Sequence, residues 1–290
     1  MYLDIIKAIS KGTNEELGWE LLVMCLESVQ PSKDIEEFLM KYFEDNCLLP
    51  TSSTRVKQYS TYCHKRLAFL LERPLVPHLP LAPSLQTAKE APFQKSVFRS
   101  SLQDIMILQK DLRPDLKIPL ILKTLAELVL LSNGCECEGI FRIAAQKSDL
   151  AILRKELEES AGINSRNITD PHLPACLLKE WLSEIRYPLF PSEFYDELCE
   201  HPDQWEAIES ILARFPNTNR LVVYYIVNLL QKVVEKSDIN LMPATNLAVV
   251  FSPSMFRYTG VFATPGLALS QCKIETQCIT TIILNLPTDK

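Results

Sequence analysis

Apolar residues recur every three to four positions along most of the chain, the period of a helix that buries one face. Trp19, Leu22, Val23 and Leu26 share such a face, and Gln30-Pro31-Ser32 ends the pattern. Ser32 stands where an N-cap is wanted, with Asp34 in the first turn behind it. Ile35, Phe38, Leu39, Tyr42 and Phe43 then form a second stripe. Val56, Tyr59, Cys63, Leu67 and Leu70 predict a third helix over about 54–72. Aromatic stripes at this spacing read as core.

Beyond that helix the pattern changes. Pro74, Pro77, Pro80 and Pro83 fall at intervals of three, which is one turn of polyproline II. The stretch 74–96, with Pro92 inside it, reads as a semi-rigid linker. An SH3 ligand is the alternative, but neither Arg73 nor a later cation stands at the flanking position such a ligand needs.

Helical periodicity then resumes. Ile118, Ile121, Leu122, Leu125, Leu128 and Val129 make a buried stripe, with Pro119 in the first turn and Asn133-Gly134 as the stop. Further helices are predicted near 146–160, 174–185, 203–214, 218–236, 243–251 and 267–286. The β-branched run Leu221-Val222-Val223-Tyr224-Tyr225-Ile226-Val227 has helix formers on both sides, so it reads as a helix buried on most faces. The fold class predicted is all-α, a helical bundle preceded by a smaller helical module.

Composition narrows the chemistry. Only 7 glycines against 19 prolines in 290 residues suit helices punctuated by proline rather than phosphate-cradling loops. No G-x-x-x-x-G-K-[ST] and no G-x-G-x-x-G occurs, so neither a nucleotide site nor a cofactor is expected in the chain itself. A net charge of −6 argues against nucleic acid as a partner. Nine scattered cysteines, no opening signal-peptide pattern and no apolar run of membrane-spanning length lead us to expect free thiols in a reducing cytoplasm, with no transmembrane segment. Cys135-x-Cys137 lacks a second Cys/His pair, so no metal site is expected.

One constellation stands out. Glu138-Gly139-Ile140-Phe141-Arg142-Ile143-Ala144 is followed by Asp170-x-His172-x-x-Ala175, by Leu177-Leu178-Lys179 leading into Tyr187-Pro188-Leu189, and by Asn246-Leu247-Ala248-Val249-Val250-Phe251-Ser252-Pro253. These segments, with Val97-Phe98 and Ser101-Leu102 before them, resemble the RhoGAP family over 97–290. The resemblance implies a GTPase-activating domain that acts on the GTP-bound form of a Rho-type GTPase. Arg142 matches the family's arginine finger, the catalytic group that is inserted into the partner's active site. A guanidinium there offsets charge developing on the transferring phosphoryl group, and its planar fork can bond two oxygens. The chain would thus be a GTPase activator and not itself an enzyme. Lys179 matches the lysine that supports the finger loop and the GTPase contact, and Asn246 the asparagine that lies against the GTPase. For Asn219, helix capping is favoured over partner contact.

The chain departs from the family at one point. An arginine that normally braces the loop is replaced by Ser183, and a proline of the following motif by Arg186. Serine cannot supply the missing charge, so either activity is reduced or Arg186 partly substitutes.

The first module has its own resemblance. Leu17-Gly18-Trp19-Glu20-Leu21-Leu22 followed by Pro31-Ser32-Lys33 is similar to part of a MyTH4 domain, placed here at 1–73. That resemblance implies a cytoskeletal or receptor-tail partner. The order MyTH4 then RhoGAP resembles a protein type with WW domains upstream, and implies Rac or Cdc42 as the target. Two competing readings remain open: a RhoGAP-fold module that docks without accelerating hydrolysis, and a MyTH4 scaffold.

Overall fold

A computed structural model of the chain describes residues 1–12, 15–49, 52–72, 88–93, 96–110, 112–160, 162, 167–257 and 265–287. The described residues are helical with loops between, and the fold is all-α. They form two compact units, Met1–Lys95 and Ser96–Lys290.

The first unit packs α1 (Tyr2–Ser10), α2 (Glu15–Ser28), α3 (Lys33–Leu48) and α4 (Thr54–Glu72). The three predicted stripes meet in its core, where Trp19, Leu22, Leu26, Leu39, Phe43, Tyr59, Cys63 and Leu67 are fully buried, but Phe38, expected in the second stripe, is 48% exposed. Helix α1 was not foreseen, although its buried Tyr2, Ile6 and Ile9 fall at i, i+4 and i+7 on one face. Gly18 makes room for it: a Cβ there would lie 2.2 Å from Ile9 Cγ1. Ser32 takes the N-cap position of α3 with extended backbone, but its hydroxyl makes no capping bond. A buried Arg66–Glu27 pair at 3.4 Å, with the Tyr62 hydroxyl donating to Glu27 at 2.8 Å, crosses the core.

Residues 88–93, inside the expected linker, pack onto this unit. Phe93 meets Tyr59 edge-on at 4.8 Å, and Lys89 pairs with Glu20 at 2.8 Å. Pro74, Pro77, Pro80 and Pro83, and with them the polyproline reading, lie outside the described residues.

The second unit comprises α5 (Leu102–Gln109), α6 (Leu120–Leu131), α7 (Lys147–Glu159), α8 (His172–Glu184), α9 (Tyr195–Glu200), α10 (Trp205–Arg214), α11 (Asn217–Val234), α12 (Ser237–Asn240), α13 (Ala244–Phe256) and α14 (Pro265–Asn285). Helix α11 buries Val222, Val223, Ile226, Val227, Leu229, Leu230 and Val233, as its apolar run predicts. Helix α13 continues beyond its predicted end, through Pro253. One lost ladder bond is tolerated there because Phe251, Met255 and Phe256 are buried on both sides of the proline. Ser101 caps α5, its hydroxyl accepting from the Asp104 N–H at 3.0 Å, and the Trp181 indole of α8 donates to the Val97 carbonyl at 2.8 Å. These contacts seat the start of the unit on α8. Among the described residues no helix is long and apolar enough to cross a membrane, and no three His, Cys, Asp or Glu side chains gather to hold a metal.

Candidate functional site

Helix α6 ends at Leu131, and the chain turns through left-handed Asn133 and a short 3-10 turn, Gly134–Glu136, before the segment that carries Arg142. At Gly139 the backbone takes φ +65°, and a Cβ there would come within 2.8 Å of Ile143 Cδ1. The N–H groups of Arg142 and Ile143 both donate to the Gly139 carbonyl at 2.9 Å, closing a tight turn. Ile140 and Phe141 are fully buried, and the Phe141 ring meets Phe251 of α13 edge-on at 5.0 Å. Phe141 itself has φ +66°, a conformation that costs an L-residue roughly 1–2 kcal/mol. Arg142, the next residue, is exposed. A cation thus stands in solvent on a turn whose neighbouring ring is sunk in the core.

One face of α8 supports this turn. His172, Cys176 and Lys179 lie at i, i+4 and i+7, so they share a stripe. His172 Nε2 sits 3.3 Å from the Cys137 thiol. Cys176 Sγ donates to the Ile143 carbonyl at 3.4 Å and accepts from the Ala145 N–H at 3.3 Å. The Lys179 ammonium donates to the Phe141 carbonyl. Burial pushes the Cys137 thiol up, with Asp170 and Glu138 adding to the shift, so it is held in the neutral form.

Asn246 is exposed in the first turn of α13, and its amide donates to the Leu241 carbonyl at 3.2 Å. It therefore tightens the turn into α13 while remaining on the surface. Val249, one turn further along, is 59% exposed. The residue that sequence reasoning missed is Asn240, which is fully buried and whose carbonyl accepts from the Gly139 N–H at 2.8 Å. An asparagine at the end of a short helix carries no periodic signal, and two of its partners, Cys135 and Gly139, lie about a hundred residues away in the chain.

One expectation is corrected, and a second residue is placed. Arg186 lies against the start of the unit. Its side chain is 6% exposed and its guanidinium lies 3.4 Å from Asp104 in α5, while its N–H donates to the Ser100 carbonyl at 3.0 Å. The backbone after α8 directs it toward the start of the unit, where it helps seat that segment. At Ser183 itself the hydroxyl bonds the Lys179 carbonyl and the Ser254 hydroxyl, each at 2.9 Å, and Arg257 Nη1 donates to the Ser183 carbonyl at 3.0 Å. Asn219 is likewise no cap: α11 begins two residues earlier, after Pro216, and the buried Asn219 amide donates to the Leu189 carbonyl at 2.9 Å.

Comparison with known proteins gives the same two modules. Residues 119–260 match the RhoGAP domain and residues 1–79 the MyTH4 domain. GTPase activating protein homolog 3 of Dictyostelium discoideum is 32% identical over 190 residues, 65% of this chain and 14% of that protein. Homolog 2 of the same organism is 31% identical over 204 residues, covering 69% of this chain and 23% of its own length. SH3 domain-binding protein 1 of Mus musculus is 32% identical over 171 residues, 57% of this chain and 24% of that protein. The chain thus spans less than a quarter of the length of each of these relatives. Among solved structures, human Rho GTPase activating protein 15 has the same fold, with TM-score 0.59 at 22% identity over 73% of this chain and 99% of that one.

Proposed function

Because the chain carries a MyTH4 domain followed by a RhoGAP domain, we propose that it accelerates GTP hydrolysis by a GTP-bound Rho-family GTPase and so switches that partner off. In this reading Arg142 enters the partner's site, while the partner supplies the phosphate cradle, Mg²⁺ and the attacking water. The observation that carries it is the exposed Arg142 beside a buried, strained Phe141 whose carbonyl is held by Lys179. Such an anchor fixes the base of the arginine before the partner arrives, so little ordering is left to the transition state. Lys179 acts through the loop, and exposed Asn246 with Val249 offers a surface to the partner. Rac and Cdc42 are the favoured partners because the order of the domains resembles that of the Vilse (CrossGAP) protein.

Single-turnover GTP hydrolysis by Rac, Cdc42 and Rho, with and without the chain, tests the proposal. In the Ras system an arginine supplied in trans is worth about 10³–10⁵ in rate, roughly 4–7 kcal/mol of barrier. Arg142→Ala is expected to lose most of the acceleration and keep its affinity for the GTP-bound partner, since a finger acts mainly in the transition state. Binding is also expected to tighten when the GTPase carries GDP with aluminium fluoride. Near-wild-type turnover by Arg142→Ala refutes the mechanism. Binding without acceleration, and equal affinity for the GDP and GDP–aluminium fluoride forms, identifies the docking module that Ser183 favours.

For the first unit we propose attachment to a cytoskeletal or receptor-tail partner in the cytoplasm, supported by the MyTH4 match. Sedimentation of the chain with actin filaments and with microtubules tests the cytoskeletal form, and absence from both pellets overturns it.

A further inference from the structure

We propose that Asn240 is a positioning residue for Arg142, fixing where the arginine loop leaves the helical frame; this rests on the reading of Arg142 given above. Asn240 is fully buried at the end of α12. Its side chain uses both kinds of atom. Nδ2 donates to the Cys135 carbonyl and to the Val233 carbonyl, each at 2.7 Å, and Oδ1 accepts from the Met242 N–H at 2.7 Å. Its backbone carbonyl accepts from the Gly139 N–H at 2.8 Å. One residue therefore fastens positions 135 and 139, on both sides of the approach to the turn, to the last turn of α11.

The connection continues to the arginine. Gly139 receives one bond from the Arg142 N–H at 2.9 Å and gives another to Asn240, so two backbone hydrogen bonds link Arg142 to the Asn240 carbonyl. The chain reverses directly after Asn240, with Leu241 at φ +58°, and this aims the Asn240 carbonyl at the loop. An amide is the side chain that can give two hydrogens and accept one in so small a space. Aspartate has the same shape but no hydrogen for the two carbonyls, and buried networks of this kind fix one arrangement only when every member is satisfied. Asn240 touches neither partner nor phosphate and acts through the loop.

The test uses the whole chain carrying Asn240→Asp and, as a milder change, Asn240→Ser. Four quantities are read: single-turnover GTP hydrolysis, affinity for the GTPase loaded with a non-hydrolysable GTP analogue, melting temperature, and amide hydrogen exchange at residues 139–143. A displacement of about 1 Å at the finger predicts turnover lower by roughly 10²-fold. Affinity for the GTP-analogue form is expected to stay within about threefold, since the loss falls on the transition state. Exchange at Arg142 and Ile143 is expected to rise above that of the α6 core in the same variant. In an Arg142→Ala background, Asn240→Ser is expected to slow hydrolysis no further.

An Asn240→Ser chain that melts at the wild-type temperature with unchanged turnover overturns the inference. So does a further slowing in the Arg142→Ala background, which marks general damage. If the natural chain accelerates no GTPase, it is the reading of Arg142 that has failed. Exchange at 142 and 143 in the free Asn240→Ser chain then still decides whether Asn240 holds the loop, and unchanged exchange shows that it does not.

Discussion

Replacing Lys179 by methionine keeps a long, flexible side chain and removes the ammonium that holds the Phe141 carbonyl. A hydrogen bond from a charged donor is worth about 1.5–3 kcal/mol, and partial exposure of Lys179 places it at the low end. Phe141 at φ +66° stores roughly 1–2 kcal/mol that its backbone recovers by relaxing. The two nearly cancel, so the net loss of stability is about 1 kcal/mol or less, a fall of roughly 2–4 °C in melting temperature for a domain of this size.

The ring has no such freedom. Burial of Phe141 is worth about 1.5–3 kcal/mol, and its edge-on pairing with Phe251 about 0.5–1.5 more, so the ring stays and the adjoining Arg142 moves. A shift near 1 Å at a catalytic group costs about 10²-fold in rate, some 2.7 kcal/mol of barrier. Catalysis is thus expected to fall further than stability. Single-turnover hydrolysis and thermal melts of Lys179→Met, Arg142→Ala and the double variant measure both, with the double variant no slower than Arg142→Ala alone. The reasoning is refuted if Lys179→Met hydrolyses within about threefold of wild type while Arg142→Ala is inactive. Loss of affinity with turnover intact instead makes Lys179 a direct contact of the partner.

Arg186→Ala leaves the buried Asp104 carboxylate with the Ser101 hydroxyl at 2.7 Å but without the guanidinium, and is expected to cost up to roughly 3–5 kcal/mol in urea unfolding, with turnover per folded molecule unchanged and part of the loss recovered by Asp104→Asn. Reduced turnover at full stability returns Arg186 to the loop. Burial holds the Glu275 carboxyl above its ordinary 4.5, and the Tyr195 hydroxyl, donating at 2.6 Å, only partly opposes this. A raised folded-state pKa means that the contribution to stability is complete below the ordinary value and is lost as pH rises through the folded one. Glu275→Gln is therefore expected to raise the melting temperature at pH 8 and leave it unchanged near pH 4; a lower midpoint at pH 8 rules this out.

The stripes of Trp19 and Phe43, of Leu122 and Val129, and of the run 221–227 were legible because burial on one helical face leaves a local period whatever the partner. Arg142 was legible through the resemblance of residues 138–144 to the RhoGAP family, and the structure adds the base that presents it, with Gly139 at φ +65° and Ile140 and Phe141 buried. Helix α1 carries the same kind of period in Tyr2, Ile6 and Ile9 and was missed, while its close seating on α2 at Gly18 is visible only in the structure. The direction of Arg186 was not legible, because whether it faces the loop or Asp104 depends on how the chain leaves α8. Sequence spacing determined which residues would be buried in helices, and the RhoGAP resemblance which arginine would be presented. Only the tertiary structure decided what holds that arginine in place, because Asn240 acts through carbonyls and an amide that every residue possesses, brought to it from positions 135, 139 and 233 by the packing of α6, α11 and α12.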